Sequence, residues 1–149
     1  MRVMNEMRES GEMYLETILV LKGKKRTVRA IDVAEEMGLS RPSVSRGMAK
    51  LRENECITVE EDGNLVFTSK GERIAKKIYE RHQILSGLFM CLGVSEQTAV
   101  DDACRIEHVI SDETFAALKE CLKKCRDEAG TAAEDLPGHP RTSVHFPER

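Results

Sequence analysis

Apolar residues recur along this chain at helical spacing, interrupted by one short stretch of β-prone residues. After Ser10, which can cap a helix, Tyr14, Ile18 and Leu21 follow at steps of four and three. This predicts a helix from Ser10 to about Lys22 with one buried face, ended by Gly23 and the "KGKK" run. Residues 1–9 read as a tail. Met13 and Glu16 are one turn apart and lie off the core face. Ala30, Val33, Ala34 and Met37 mark a second, short helix. Gly38 suits a left-handed C-terminal position, Leu39 plugs the turn, Ser40 caps, and Pro42 fits the next first turn. Val44, Met48 and Leu51 then form the buried stripe of a third helix. Arg41, Ser43, Ser45, Arg46 and Lys50 are left to face outward.

Two β-prone runs, Ile57–Val59 and Leu65–Phe67, flank Asp62-Gly63 and read as a hairpin. Two short helices joined by a tight glycine turn, the second basic and followed by a hairpin, are the signature of a winged helix-turn-helix. The hairpin tip can touch a DNA backbone. From Ser69 to Leu92 the pattern is helical again, with Ile74, Ile78, Leu85, Leu88 and Leu92 on one stripe and Arg81 in its missing slot. Such a helix spans about 36 Å, too long for one small winged domain to cover. A linker to a second module or a dimer seam is its natural use. Two further helices follow, one capped by Ser95 and one over Asp112–Lys124. The fold class is therefore mainly α: a winged helix-turn-helix followed by an all-helical domain. The divisions are 1–9 tail, 10–73 DNA-binding domain, 74–126 helical domain and 127–149 a disordered tail rich in Gly and Pro.

Charge sharpens this reading. The net charge is -3 over 149 residues, which alone argues against a nucleic-acid partner. Its distribution argues the other way. Residues 1–81 hold 16 Lys/Arg against 14 Asp/Glu, a balance of +2, and residues 82–149 hold 7 against 12, a balance of -5. The segment "SRPSVSRGMAKLR" carries four cations and no acid. A polyanion needs a basic face, not a basic protein. No apolar run reaches membrane-spanning length and no signal-peptide pattern opens the chain, so a cytoplasmic protein without a membrane partner is expected. The 5 cysteines show no secreted-framework spacing and fit a reducing compartment. Cys56 and Cys91 read as small buried hydrophobes. There is no phosphate loop, nucleophile elbow or paired catalytic carboxylate, so nothing supports an enzyme.

The segment "DDACRIEHVIS" carries the candidate chemistry. On a helix, Cys104, Glu107 and His108 fall at i, i+3 and i+4 and share a face. One reading is a metal site, completed by donors from elsewhere such as Met13, Glu16 and His82. The other is a buried cysteine beside a solvated Glu-His pair. Cys121 and Cys125, one turn apart, can bind metal or oxidise, or simply share a helix face.

Taken together, "EMYLETI", "VRAIDVAEEMGLSRPSVSRGMAKL", "LVFTSKGERIAKKIYERHQIL" and "DDACRIEHVISDE" resemble the diphtheria toxin repressor and manganese transport regulator family. The resemblance covers about residues 10–124. It implies a dimeric repressor that binds operator DNA when loaded with Fe(II) or Mn(II), in the short two-domain form. Met13, Cys104, Glu107 and His108 match the iron branch's four ligands. The manganese branch has Asp in place of Met13 and Glu in place of Cys104. Glu16 and His82 match positions that serve its second metal. The iron branch's ancillary site also uses the His82 position, but its other two ligand positions hold Ser86 and Val100 here.

Donor chemistry agrees with iron. Thioether and thiolate are soft, whereas Mn(II) prefers oxygen and imidazole. Fe(II) is the expected effector, with Mn(II), Co(II), Ni(II) and Zn(II) as further ions the site can take. The metal is expected to draw donors from both domains and fix the two recognition helices of a homodimer about 34 Å apart, in successive major grooves. Arg46 and Ser43 are the base-edge candidates, and Arg41, Ser45 and Lys50 the phosphate contacts, with Pro42 beside them in the first turn. The rivals are a manganese-responsive member of the same family and a thiol redox-sensing repressor.

Overall fold

The structure, a computed structural model, describes residues 2–128, with side chains for 9–127. The tail expected over 127–149 therefore lies outside the described residues, except that residues 127 and 128 end the last helix. The elements are α1 (Arg2–Lys24), α2 (Ala30–Met37), α3 (Arg41–Glu53), β1 (Ile57–Val59), β2 (Leu65–Phe67), α4 (Ser69–Cys91), α5 (Glu96–Ile106) and α6 (Asp112–Glu128). They form two compact units, one ending at Ile78 and the other beginning at Tyr79.

The first unit holds the helix-turn-helix and wing. α1 begins at Arg2, so residues 2–9 are helix and not the tail expected from the sequence. No Pro or Gly precedes Gly11, and Met, Glu and Arg are good helix formers. Leu15, Ile18 and Leu21 of α1 meet Val33, Ala34 and Met37 of α2 and Val44, Met48 and Leu51 of α3 in one core. Ile18, Leu21 and the α2 and α3 residues are those of the stripes read from the sequence, whereas on α1 Leu15 is buried and Tyr14, expected on the core face, is only partly buried against it. Tyr14 packs between α1 and α3 over Gly47, where any Cβ would overlap its ring.

The turn between α2 and α3 closes through backbone bonds. Gly38, at φ 64°, donates to Glu35 O (3.4 Å) and Leu39 to Ala34 O (3.1 Å). This is the bonding a left-handed glycine allows at a helix end. It leaves Leu39 41 % exposed, so the leucine does not plug the turn as expected. Ser40 caps α3 by accepting from Ser43 N at 3.3 Å.

The wing pairs antiparallel, with Ile57 opposite Phe67 and Val59 opposite Leu65. Its loop, 60–64, is wider than a two-residue Asp-Gly turn, although Gly63 does take a left-handed φ of 84°. Glu60, Glu61 and Asp62 stand exposed at the tip. The hairpin is tied to its neighbours at both ends. Leu65 donates to Val28 O (2.8 Å). Thr68 donates through Oγ1 to Glu55 O (2.7 Å), and Lys70 Nζ donates to Asn54 O (2.8 Å). At Gly71 the first turn of α4 presses directly on the Cys56 carbonyl, a contact with no room for a side chain.

The described residues of the second unit form helices and the turns between them. Of the α4 stripe Ile78 is buried and Ile74 partly buried before the boundary, beside a buried Ala75, and Leu85 and Leu88 are buried after it, but Leu92 is 69 % exposed. Arg81 takes a buried slot on this stripe. Cys91, expected to be a buried hydrophobe, is exposed and disulfide-bonded to Cys125 at a Cα separation of 6.8 Å. The pairing reflects where the last turn of α4 meets α6. Cys121 is left outside the bond, so the sequence-adjacent Cys121/Cys125 pair is not the one that forms. Cys56 is buried as expected.

Candidate functional site

Two groups of side chains stand out, one in each unit. In the first unit the outward face of α3 carries Arg41, Pro42, Ser45, Arg46 and Lys50, all exposed, with Ser43 half-buried. They are outward because Val44, Met48 and Leu51 take the inward stripe. Arg46 Nη2 donates to Ser43 Oγ at 3.3 Å, which joins the two base-edge candidates on adjacent turns. Tyr14 bears on the same helix: its hydroxyl donates to Ser43 O at 3.5 Å. Burial pushes the Tyr14 hydroxyl pKa up, and the nearby Arg46 charge partly opposes this.

In the second unit, α4 supplies His82 and α5 supplies Cys104. Glu107 and His108 follow directly after α5 ends at Ile106. The helix stops one residue before the Glu-His pair. β-branched Val109 and Ile110 come next, and Ser111 then caps α6 by accepting from Thr114 N at 3.0 Å. Glu107 keeps right-handed helical angles (φ -55°, ψ -28°), so it stays in reach of the Cys104 face despite the early stop.

His82 Nδ1 is 2.9 Å from Glu107 Oε2 and 3.6 Å from Cys104 Sγ. His108 Nε2 is 3.2 Å from Glu107 Oε1. One ligand atom each from His82, Cys104 and Glu107 falls within 4.8 Å of the others. Four of the six residues singled out for metal from the sequence are thus brought together. The other two, Met13 and Glu16, lie on α1 in the first unit. Met13 is half-buried against that unit's core and Glu16 is 2 % exposed.

This cluster is not the solvated Glu-His pair of the duller reading. The Glu107 side chain is 1 % exposed, and a carboxylate out of water needs positive charge or several donors beside it. It lies between two imidazoles, next to a thiol. A thiolate, imidazole nitrogen and carboxylate oxygen at this separation make a donor set that fits a divalent first-row cation, with coordination positions left for further ligands. Ser86, on the next turn of α4, donates its hydroxyl to His82 O at 2.7 Å, and Val100 has no donor to offer. The iron branch's ancillary set is therefore absent at these positions.

Arg81 was visible in the sequence only as a cation in an apolar slot. It is 4 % exposed and binds the chain segment that carries Glu107. Its signal was the "RH" pair on α4: one residue faces the buried stripe and the other the donor cluster.

The comparisons with known proteins meet the same two units. The family model described as the iron dependent repressor, N-terminal DNA binding domain, matches residues 6–65. The model described as the iron dependent repressor, metal binding and dimerisation domain, matches residues 68–130. The HTH-type transcriptional regulator MntR of Bacillus subtilis is 35 % identical over 136 residues, covering 91 % of this chain and 95 % of its own length. The diphtheria toxin repressor of Corynebacterium jeikeium is 30 % identical over 122 residues, 81 % of this chain. This chain spans about half of that relative's length, 51 %. Among solved structures, that of the manganese regulator SloR superposes with a TM-score of 0.69 at 25 % identity, over 76 % of this chain and 53 % of that one. No described helix is long and apolar enough to cross a membrane.

Proposed function

Because the chain belongs to the diphtheria toxin repressor and manganese transport regulator family, whose members are metal-dependent transcriptional repressors and not enzymes, we propose that it is a repressor activated first by Fe(II). In this reading it binds double-stranded operator DNA as a homodimer in the cytoplasm and controls genes of metal homeostasis. The observation that carries the metal assignment is the buried Cys104 thiol beside His82 and Glu107. Sulfur at that position favours Fe(II), Co(II), Ni(II) and Zn(II) over Mn(II).

His82, Cys104, Glu107 and His108 are the donors from the second unit, and Met13 and Glu16 on α1 are the donors proposed from the first. A divalent ion held by these residues would supply positive charge to the buried Glu107 carboxylate, and would favour the DNA-competent conformation only to the extent that it bound that conformation more tightly. Arg46 and Ser43 read base edges. Arg41, Ser45 and Lys50 contact phosphates, with Pro42 fixing the first turn of the helix between them.

A second reading, activation by Mn(II), is favoured by Glu16 and His82 and by the likeness to a solved manganese regulator. The two are separated by anisotropy titrations of an operator duplex, recovered by selection from random DNA, under anaerobic reducing conditions. Half-activation at lower free Fe(II) than free Mn(II) is expected. The reverse order removes the iron assignment, and DNA binding indifferent to metal removes the metalloregulator reading.

A further inference from the structure

We propose that Arg81 is a positioning residue for the metal site, a guanidinium clamp that holds the main chain of Glu107 while the adjacent His82 meets its carboxylate. Arg81 Nη1 donates to Glu107 O at 3.0 Å and to Ile110 O at 2.8 Å. Its Nη2 pairs with Asp112 Oδ1 at 2.5 Å, and its Cζ lies 5.4 Å from the centroid of the Phe115 ring. One side chain thus fastens the end of α5, the intervening turn and the start of α6.

The clamp sits where the chain most needs one. α5 ends at Ile106; Ala103 O and Ile106 O still accept the N–H groups of Glu107, Val109 and Ile110, and beyond the helix end the Glu107 and Ile110 carbonyls accept from Arg81. A cation there is favoured by the helix dipole as well as by hydrogen bonding. The turn 107–110 has no long-range backbone ladder to fix it. Without Arg81 the main chain at Glu107 would lose the side-chain donor that holds its carbonyl. With it, consecutive residues of α4 grip both ends of Glu107: Arg81 the peptide oxygen, His82 the carboxylate. A planar fork reaching two carbonyls and a carboxylate together is specific to arginine, because a lysine ammonium is a point donor on a flexible stem.

This inference rests on the metal-site reading above. Its test uses the full-length reduced protein with Co(II) as probe. It compares wild type with Arg81→Met, which keeps the volume but has no donors, and with Arg81→Lys. Cobalt affinity, the thiolate-to-cobalt absorption and d–d bands, and metal-free melting are followed in parallel. The expected result is a cobalt Kd raised about tenfold or more in Arg81→Met, as for other groups that orient ligands, with altered d–d bands at saturation. Arg81→Lys should recover the metal-free melting temperature more fully than the affinity, a split that a merely structural role would not give. If Arg81→Met does not fold, the lysine variant decides alone: wild-type affinity and spectrum in it overturn the clamp. Wild-type protein that gives no thiolate-to-cobalt band overturns the metal-site reading and the clamp with it.

Discussion

The Tyr14 ring lies where a side chain at Gly47 would have to be. This contact sets how closely α1 and α3 approach, and through the Tyr14 hydroxyl and Ser43 O it bears on the first turn of α3. Gly47→Ala should destabilise the protein by about 1–3 kcal/mol, the usual range for an overpacked core. In a Tyr14→Ala background the same change should be neutral or stabilising by about 1 kcal/mol, because alanine is the better helix former. Urea unfolding of the four proteins measures the coupling, and additive effects would show that the ring is not the obstacle.

DNA binding divides between the two kinds of contact proposed on α3. Arg46→Ala should cost about 1–3 kcal/mol on the operator and relax preference at one base position. Lys50→Ala should weaken all sequences alike and lower the salt slope by about one unit. Anisotropy titrations across a salt series distinguish them. Undiminished operator affinity in the Arg46 variant would assign base reading to another residue.

Metal preference should follow the sulfur donors. Replacing Met13 by Asp and Cys104 by Glu together converts the proposed set to oxygen and nitrogen, leaving α3 untouched. This double variant should gain activation by Mn(II) relative to Fe(II), while His108→Ala should lose activation by either ion. Operator binding against free metal is the measurement. A wild type already more sensitive to Mn(II) would falsify sulfur as the determinant.

Acid should loosen the entry to α2. Asp32 accepts from Lys25 Nζ (2.6 Å) and from Arg29 N (2.8 Å), and these bonds hold its carboxyl below the ordinary aspartate pKa. A carboxyl depressed on folding contributes stability above its unfolded pKa and loses it as pH falls through the folded value. Wild type should therefore lose an increment between those two pKa values that Asp32→Asn does not show. Parallel melting curves from pH 6 down to about pH 3 test this, and identical pH dependence in the two proteins counts against it.

The disulfide makes a plain chemical forecast. Without reductant, denatured protein should titrate three thiols per chain, those of Cys56, Cys104 and Cys121. The Cys91–Cys125 bond closes a loop of 34 residues, a constraint on the unfolded chain worth on the order of 4 kcal/mol in the entropic view. Cys125→Ser or reduction should lower the melting temperature, and five titrated thiols in oxidised protein would exclude the bond.

What the sequence made legible follows from what carries local signals. Periodicity identified Val44, Met48 and Leu51 as the inner face of α3, and Gly38 and Ser40 as the turn and cap, because each choice is dictated within a few residues. The Cys104–Glu107–His108 spacing was readable for the same reason, although the end of α5 before Glu107 was not. Long-range pairings were invisible. Nothing near Cys91 says that Cys125 rather than Cys121 is its partner. Arg81 in an apolar stripe looked like an interruption until the ends of α5 and α6 supplied its acceptors.

The contact of Gly71 with the Cys56 carbonyl bears on how motion is transmitted. The Thr68 hydroxyl and the Lys70 ammonium donate to the carbonyls of Glu55 and Asn54, just before the wing, and Thr68 N donates to Cys56 O, so the end of α3, the hairpin and the first turn of α4 are fastened together. The hairpin is consequently no free flap. A rotation applied to the first turn of α4 would therefore be passed through these shared carbonyls to the end of α3.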